Sequence, residues 1–202
     1  MKYVLLLVTV ASILTGCGAS TKITKSWKEP GATIKEGTQE KTLVMSMVKD
    51  AVTRRMVEDN LVKRLGPHAV PSYTIFTDDM LANLTTEAFQ DKVQRDSFKY
   101  VILMRLADVE KETSYVPGST YGGYYGGYGR YYGYGMGMYT TPGYYTTDKN
   151  YFVETTVYST QPDKLLWTGT TKTVNPSSVD KTVTKIADAV AYKMKEDKFL
   201  VK

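Results

Sequence analysis

Cysteine is almost missing from this 202-residue chain: Cys17 is the only one. A single thiol excludes an internal disulfide framework. Histidine is as rare. His68 stands alone after Gly66-Pro67, which excludes a multi-histidine metal site and reads as an exposed turn residue rather than a general base. No HExxH, CxxC, GxSxG or P-loop pattern occurs, so the common signatures of metal, redox, acyl-transfer and phosphate chemistry are absent. Beyond the N-terminus no apolar stretch approaches about eighteen residues, so no later segment reads as a membrane-spanning helix. The net charge is +5 with no Lys/Arg run. Scattered solubilising charge accounts for that better than a nucleic-acid footprint. No cofactor is expected.

What is present begins at the N-terminus. Lys2 supplies a positive start, and Val4 to Leu14 is an apolar run. That length suits the core of an export signal and is too short for a stable span. The run ends in Leu14-Thr15-Gly16-Cys17. This tetrapeptide resembles the lipobox of bacterial lipoproteins, with an aliphatic residue, two small residues, then cysteine. The resemblance covers residues 1–17. It implies cleavage between Gly16 and Cys17, a diacylglyceryl group on the Cys17 sulfur and acylation of the freed amine. Two or three chains anchor a protein where one does not, at about 0.8 kcal/mol per buried CH₂. Gly18 follows instead of Asp. Likeness to Gram-negative lipoproteins then implies the outer membrane, facing the periplasm. Without residues 1–16 the chain keeps 25 basic and 21 acidic side chains, or +4.

Residues 18–41 are polar, with Ile23, Trp27 and Ile34 as the larger apolar groups. They read as a tether from residue 17 to 41, about 25–30 Å long if coiled. Alternatively, Ser26 to Pro30 is an extended arm with Trp27 docked on the domain. From Thr42 the patterning is that of a folded α/β domain over 42–202. Leu43 to Val48 reads as a buried strand. Asp50 caps a helix whose apolar face is Val52, Met56, Val57, Leu61 and Leu65, with Arg54, Arg55, Glu58 and Asp59 turned out. Gly66-Pro67 ends it. Val70 to Phe76 reads as a strand with Pro71 near its start. A helical region follows from Thr77-Asp78-Asp79, broken near Thr85-Thr86. Tyr100 to Leu106 is a strand that continues toward Tyr115 past Asp108, Glu110, Lys111 and Glu112, so that its far end leaves the core. Tyr151 to Ser159 and Leu165 to Val174 are strands joined by a Gln161-Pro162-Asp163 turn. Val179, Val183, Ile186, Val190 and Met194 mark a long final helix. The expected order is β-α-β-α-β-β-β-α, a mixed sheet with helices packed on it. This order is similar to small envelope lipoprotein domains of the TolB N-terminal, CsgG and LpoB type. That topological likeness implies partner binding or envelope assembly, and no functional residue comes with it.

Residues 117–147 interrupt the pattern. Ten glycines and ten tyrosines occupy 118–145, and Arg130 is the single charged residue between Glu112 and Asp148. Ordering so much glycine is entropically costly, and no aliphatic side chains offset it. The expectation is a disordered loop at a hairpin tip. Its candidate partner contacts are Tyr121, Tyr124, Tyr125, Tyr128, Arg130, Tyr131, Tyr132 and Tyr134, since tyrosine combines a flat apolar face with a hydroxyl. A tolerated insertion without a role explains the same composition. Asp78-Asp79 could bind metal or act as paired carboxylates, but at a helix start they read as capping residues and complements to the helix dipole.

The functional reading is a lipid-anchored, non-enzymatic envelope module. Its partners would be the membrane, through Cys17, and an envelope protein or peptidoglycan, with no nucleic acid. The alternatives are adhesion through the Tyr/Gly loop, or a carboxylate-dependent hydrolase with two acids about 5–10 Å apart.

Overall fold

The structure, a computed structural model, describes residues 20–116, 120–121, 139–140 and 144–202. The mixed α/β architecture is as expected. Six strands form one sheet in the order β1-β9-β8-β5-β3-β4. These are β1 Thr21–Lys28, β3 Thr42–Ser46, β4 Ala69–Pro71, β5 Tyr100–Val116, β8 Tyr144–Thr160 and β9 Asp163–Val174. β3 lies parallel to both β4 and β5, whereas β5, β8, β9 and β1 run antiparallel in succession. Two short ladders complete the described strands: β2 Ile34–Lys35 with β10 Leu200–Val201, and β6 Thr120–Tyr121 with β7 Tyr139–Thr140. The helices are α1 Ala51–Leu65, α2 Asp78–Ala82, α3 Thr86–Arg95 and α4 Val179–Glu196.

Side chains alternate across the sheet, so each face has its own core. Val44, Met104, Val157 and Trp167 meet Val57 and Leu61 of α1 and Val183, Ile186, Val190 and Met194 of α4. On the other face Leu43 and Val101 meet Phe76, Val93 of α3 and Phe98. The expected periodicity of α4 is thereby realised, with Ser178 as its cap. The break near Thr85-Thr86 is real too. Asn83 closes α2, and Thr85 Oγ1 then accepts from the Ala88 N–H at 3.2 Å to open α3. Thr77 Oγ1 caps α2 by accepting from Met80 N–H, so Asp78 and Asp79 are its first two residues.

Four expectations need correction. The segment read as a tether is folded over much of its length. Thr21–Lys28 is an edge strand paired with Lys28-to-Thr21 partners Trp167 to Thr173, and Ile34–Lys35 pairs with Leu200–Val201. The backbone ladder, not apolar content, holds β1, because Trp27 is 46% exposed and only Ile23 packs against the core. The second strand stops at Pro71, and Ser72–Thr74 turns as a 3-10 helix with Ile75 and Phe76 N–H groups both donating to the Ser72 carbonyl. β5 runs on toward Tyr115 as expected, but its partner β8 is longer than expected: the two stay paired from Tyr100/Ser159 to Val116/Tyr144, so residues 144–147 belong to a strand.

The fourth correction concerns α1. Val52 is 70% exposed, and Met56 and Leu65 are also exposed, while Arg54 and Glu58 are buried. The helix faces the sheet with Arg54, Val57, Glu58 and Leu61. A buried ion pair persists only if its remaining hydrogen-bonding capacity is satisfied, and here it is. Glu58 Oε1 accepts from Arg54 Nε at 3.2 Å, Ser46 N–H at 2.9 Å and Ser72 Oγ at 2.7 Å. Glu58 Oε2 accepts from Tyr73 N–H at 3.1 Å. Arg54 also donates to Ser72 Oγ and the Phe76 carbonyl. The pair thus staples β3, α1 and the turn after β4.

Candidate functional site

Two places on the molecule merit a functional reading: the end of the sheet where β1 begins, and an apolar cleft beneath α4. Gly16 and Cys17 lie outside the described residues, as do Tyr124, Tyr125, Tyr128, Arg130, Tyr131, Tyr132 and Tyr134. Tyr121 is placed by its backbone, paired with Tyr139. The structure therefore does not bring the expected contact residues together into a described surface. It does fix where the chain enters them.

Strand register defines that end of the sheet. Thr21 pairs with Thr173, Thr173 with Tyr151, and Tyr151 with Val109, giving one row across β1, β9, β8 and β5. The Thr21 and Thr173 hydroxyls meet at 2.9 Å, and Val174 N–H donates to the Ser20 carbonyl at 3.1 Å. The chain is thus ordered to within three residues of Cys17. β9 ends at Val174, whereas β5 and β8 run on together past the row to Val116 and Tyr144. Residues 105–115 of β5 are exposed throughout. The overhang has two zones. Next to the sheet it is charged and cross-linked: Asn150 Nδ2 donates to Glu112 Oε2, Lys172 lies 3.8 Å from Glu112, and Asn175 Nδ2 donates to Asp148. Farther out it has no charge. Thr113 pairs with Thr147, Ser114 with Thr146 and Tyr115 with Tyr145. The last pair packs ring against ring at 5.1 Å, with Tyr115 56% and Tyr145 74% exposed.

The cleft lies between the sheet, α1, α4 and the β2–β10 ladder, with a volume near 450 Å³. Leu61, Met104, Val157, Val190, Met194 and Phe199 line it. Ionisable groups gather at its rim, where Lys195 and Glu36 join across the mouth at 2.6 Å. His68 borders it in the turn where it was expected, but half-buried rather than exposed. Thr155 also lines it, and its buried hydroxyl has no hydrogen-bond partner. A cleft of this composition suits an apolar group with one hydrogen-bonding atom. Sequence reasoning missed it, because its walls come from segments more than a hundred residues apart and each reads as ordinary core.

Beside the cleft, Asp197 ties α4 to the sheet. Its carboxylate accepts from Trp167 Nε1 and Ser26 Oγ, each at 3.0 Å, and pairs with Lys193 at 3.0 Å. Burial pushes this carboxyl up, but the hydrogen bonds from Trp167, Lys193 and Ser26 outweigh it and hold it below the ordinary range. Trp167 is fully buried, and its indole lies across Gly169, where an added methyl would sit 2.2 Å from the ring.

No family model and no curated protein matches the chain. Among solved structures it is similar to a PelC dodecamer from Paraburkholderia phytofirmans, at 8% identity and a TM-score of 0.44. That match covers 86% of this chain and 96% of the other. It is also similar to the lipoprotein GNA1162 from Neisseria meningitidis, at 12% identity and a TM-score of 0.40, covering 78% and 99%. Likenesses this distant transfer no role.

Proposed function

We propose that the chain is a lipid-anchored bacterial envelope protein whose domain works by binding rather than by catalysis. The observation that carries this reading is the Val4–Leu14 apolar run closing on Leu14-Thr15-Gly16-Cys17. The folded domain supports it from the other side, since β1 opens only four positions after Cys17. A signal-bearing segment joined directly to an edge strand suits a protein that keeps its N-terminus at the membrane.

The binding role has separate support. The most buried acid among the described residues, Glu58, has both carboxylate oxygens occupied by donors from four residues. It is a structural tie, not a free acid or base. The apolar cleft and the overhanging aromatic hairpin are surfaces for contact instead. On this reading the address is the outer membrane, facing the periplasm, and the partner is an envelope protein or peptidoglycan.

The test is Cys17→Ser in cells fed radiolabelled palmitate. Loss of the label and release of the protein from the membrane fraction are expected. Unchanged labelling and fractionation would remove the anchor, and the proposed address with it.

A further inference from the structure

Building on the proposed acylation of Cys17, we infer that the overhanging β5–β8 hairpin is a second membrane contact, with Tyr115 and Tyr145 seated in the headgroup layer of the same bilayer. Direction is the first argument. β1 is antiparallel to β9 and β9 to β8. Leaving Thr21 toward Cys17 therefore means travelling the way the hairpin runs from Tyr151 toward Tyr144. Anchor and hairpin leave the sheet by one end.

Length is the second. Cys17 precedes Thr21 by four positions, a span of about 14 Å at most for an extended chain. The hairpin passes the Thr21 row by seven positions, from Val109 to Val116, or about 24 Å at the rise of an antiparallel strand. Two to three strand-to-strand steps of sheet twist turn the hairpin by about 40–60° from β1 and shorten its reach along that axis to about 12–18 Å. With the strands upright on the bilayer, the hairpin reaches the depth at which the acylated cysteine must sit.

Chemistry is the third. The charged zone of the overhang, Asp108 to Glu112 and Asp148-Lys149, lies next to the sheet. The described arms beyond it are Thr113–Val116 and Tyr144–Thr147, free of charge and ending in the exposed Tyr115–Tyr145 pair. Carboxylates resist transfer out of water, whereas tyrosine favours the membrane–water boundary, where its ring meets acyl carbons and its hydroxyl stays hydrated. The order along the hairpin, charge near the domain and tyrosine far from it, fits a bilayer beyond its end.

The test uses the full acylated protein, purified from membranes and reconstituted into phosphatidylethanolamine/phosphatidylglycerol vesicles. Acylation blocks Cys17, so the environment-sensitive dye NBD reacts only with an introduced thiol: Tyr145→Cys at the hairpin, or Gln161→Cys in the β8–β9 turn at the opposite end of the sheet. Expected at 145 are a blue shift on reconstitution and quenching by doxyl-labelled lipid roughly threefold stronger than at 161, as for an interfacial aromatic position. Equal quenching at the two sites overturns the inference. So does a dye at 145 that is shielded from iodide yet unaffected by doxyl lipid, because that signals a protein contact. Intact mass separates the two readings. A native chain without acyl mass overturns the proposed anchor and the hairpin contact together, while an acylated chain with no quenching at 145 overturns the hairpin contact alone.

Discussion

Glu58 and Arg54 are the side chains with most to lose. Removing one leaves the other charged in an apolar interior, a change that costs about 3–5 kcal/mol. Glu58→Ala is expected to lower unfolding stability by that amount in urea titration. The double change Arg54→Met with Glu58→Leu should cost far less than Glu58→Ala, since no lone charge remains. Acid tests a second residue. The Asp197 carboxyl is held below its ordinary value in the fold. Its contribution is therefore complete above the unfolded value near about 3.9 and is lost as pH falls through the lower folded value. Stability measured between roughly pH 5 and pH 2 should fall, and Asp197→Asn should flatten part of that fall. Asp50, through hydrogen bonds with Thr53, and Asp96, through a hydrogen bond from Lys92, are lowered as well and act in the same sense. The Asp50 cap could be read from the sequence and is realised, but the buried pair of α1 could not. Arg and Glu four apart normally mark an exposed helix face. The donors that make burial tolerable, Ser46, Ser72 and Tyr73, arrive from other elements.

At the scale of elements, legibility followed apolar spacing. α4 could be read directly, because Val183, Ile186, Val190 and Met194 keep helical intervals and all four are buried. β1 could not. Thr-Lys-Ile-Thr-Lys-Ser-Trp-Lys has few apolar side chains, and an edge strand is held by its backbone ladder. The distinction is measurable. A tether would be cut by trypsin at Lys22, Lys25 and Lys28, but paired backbone resists proteolysis until it opens. Native digestion is expected to leave these bonds intact while cleaving the unfolded chain at each. The hairpin makes the opposite prediction. Its outer arms touch no core, so replacing residues 115–145 with an Asn-Gly turn between Ser114 and Thr146, a pair already in register, should move the melting temperature by no more than a few degrees, the scale of about 1 kcal/mol or less. A larger drop would show that the overhang supports the fold.

For the whole molecule, the two faces of the sheet have separate cores, and among the described residues Ile23 is the first to pack against either. A chain comprising residues 20–202 is therefore expected to fold to the same melting temperature as the full-length chain. It should also partition into the aqueous phase of a detergent extraction. Aggregation of that chain, or a loss of several degrees, would show that the N-terminal segment contributes to the fold as well as to its address.

The pairing of β1 with β9 has a consequence for biogenesis. Residues 21–28 find their neighbours only at positions 167–173, so an emerging chain cannot close this margin until some 150 further residues have been delivered. Loop closure over such separations slows assembly. Until then the β9 rim stays open, with its threonine-rich edge available to any extended polypeptide nearby. On the export route proposed above, a margin that closes this late lets the chain thread through a translocation pore before it sets.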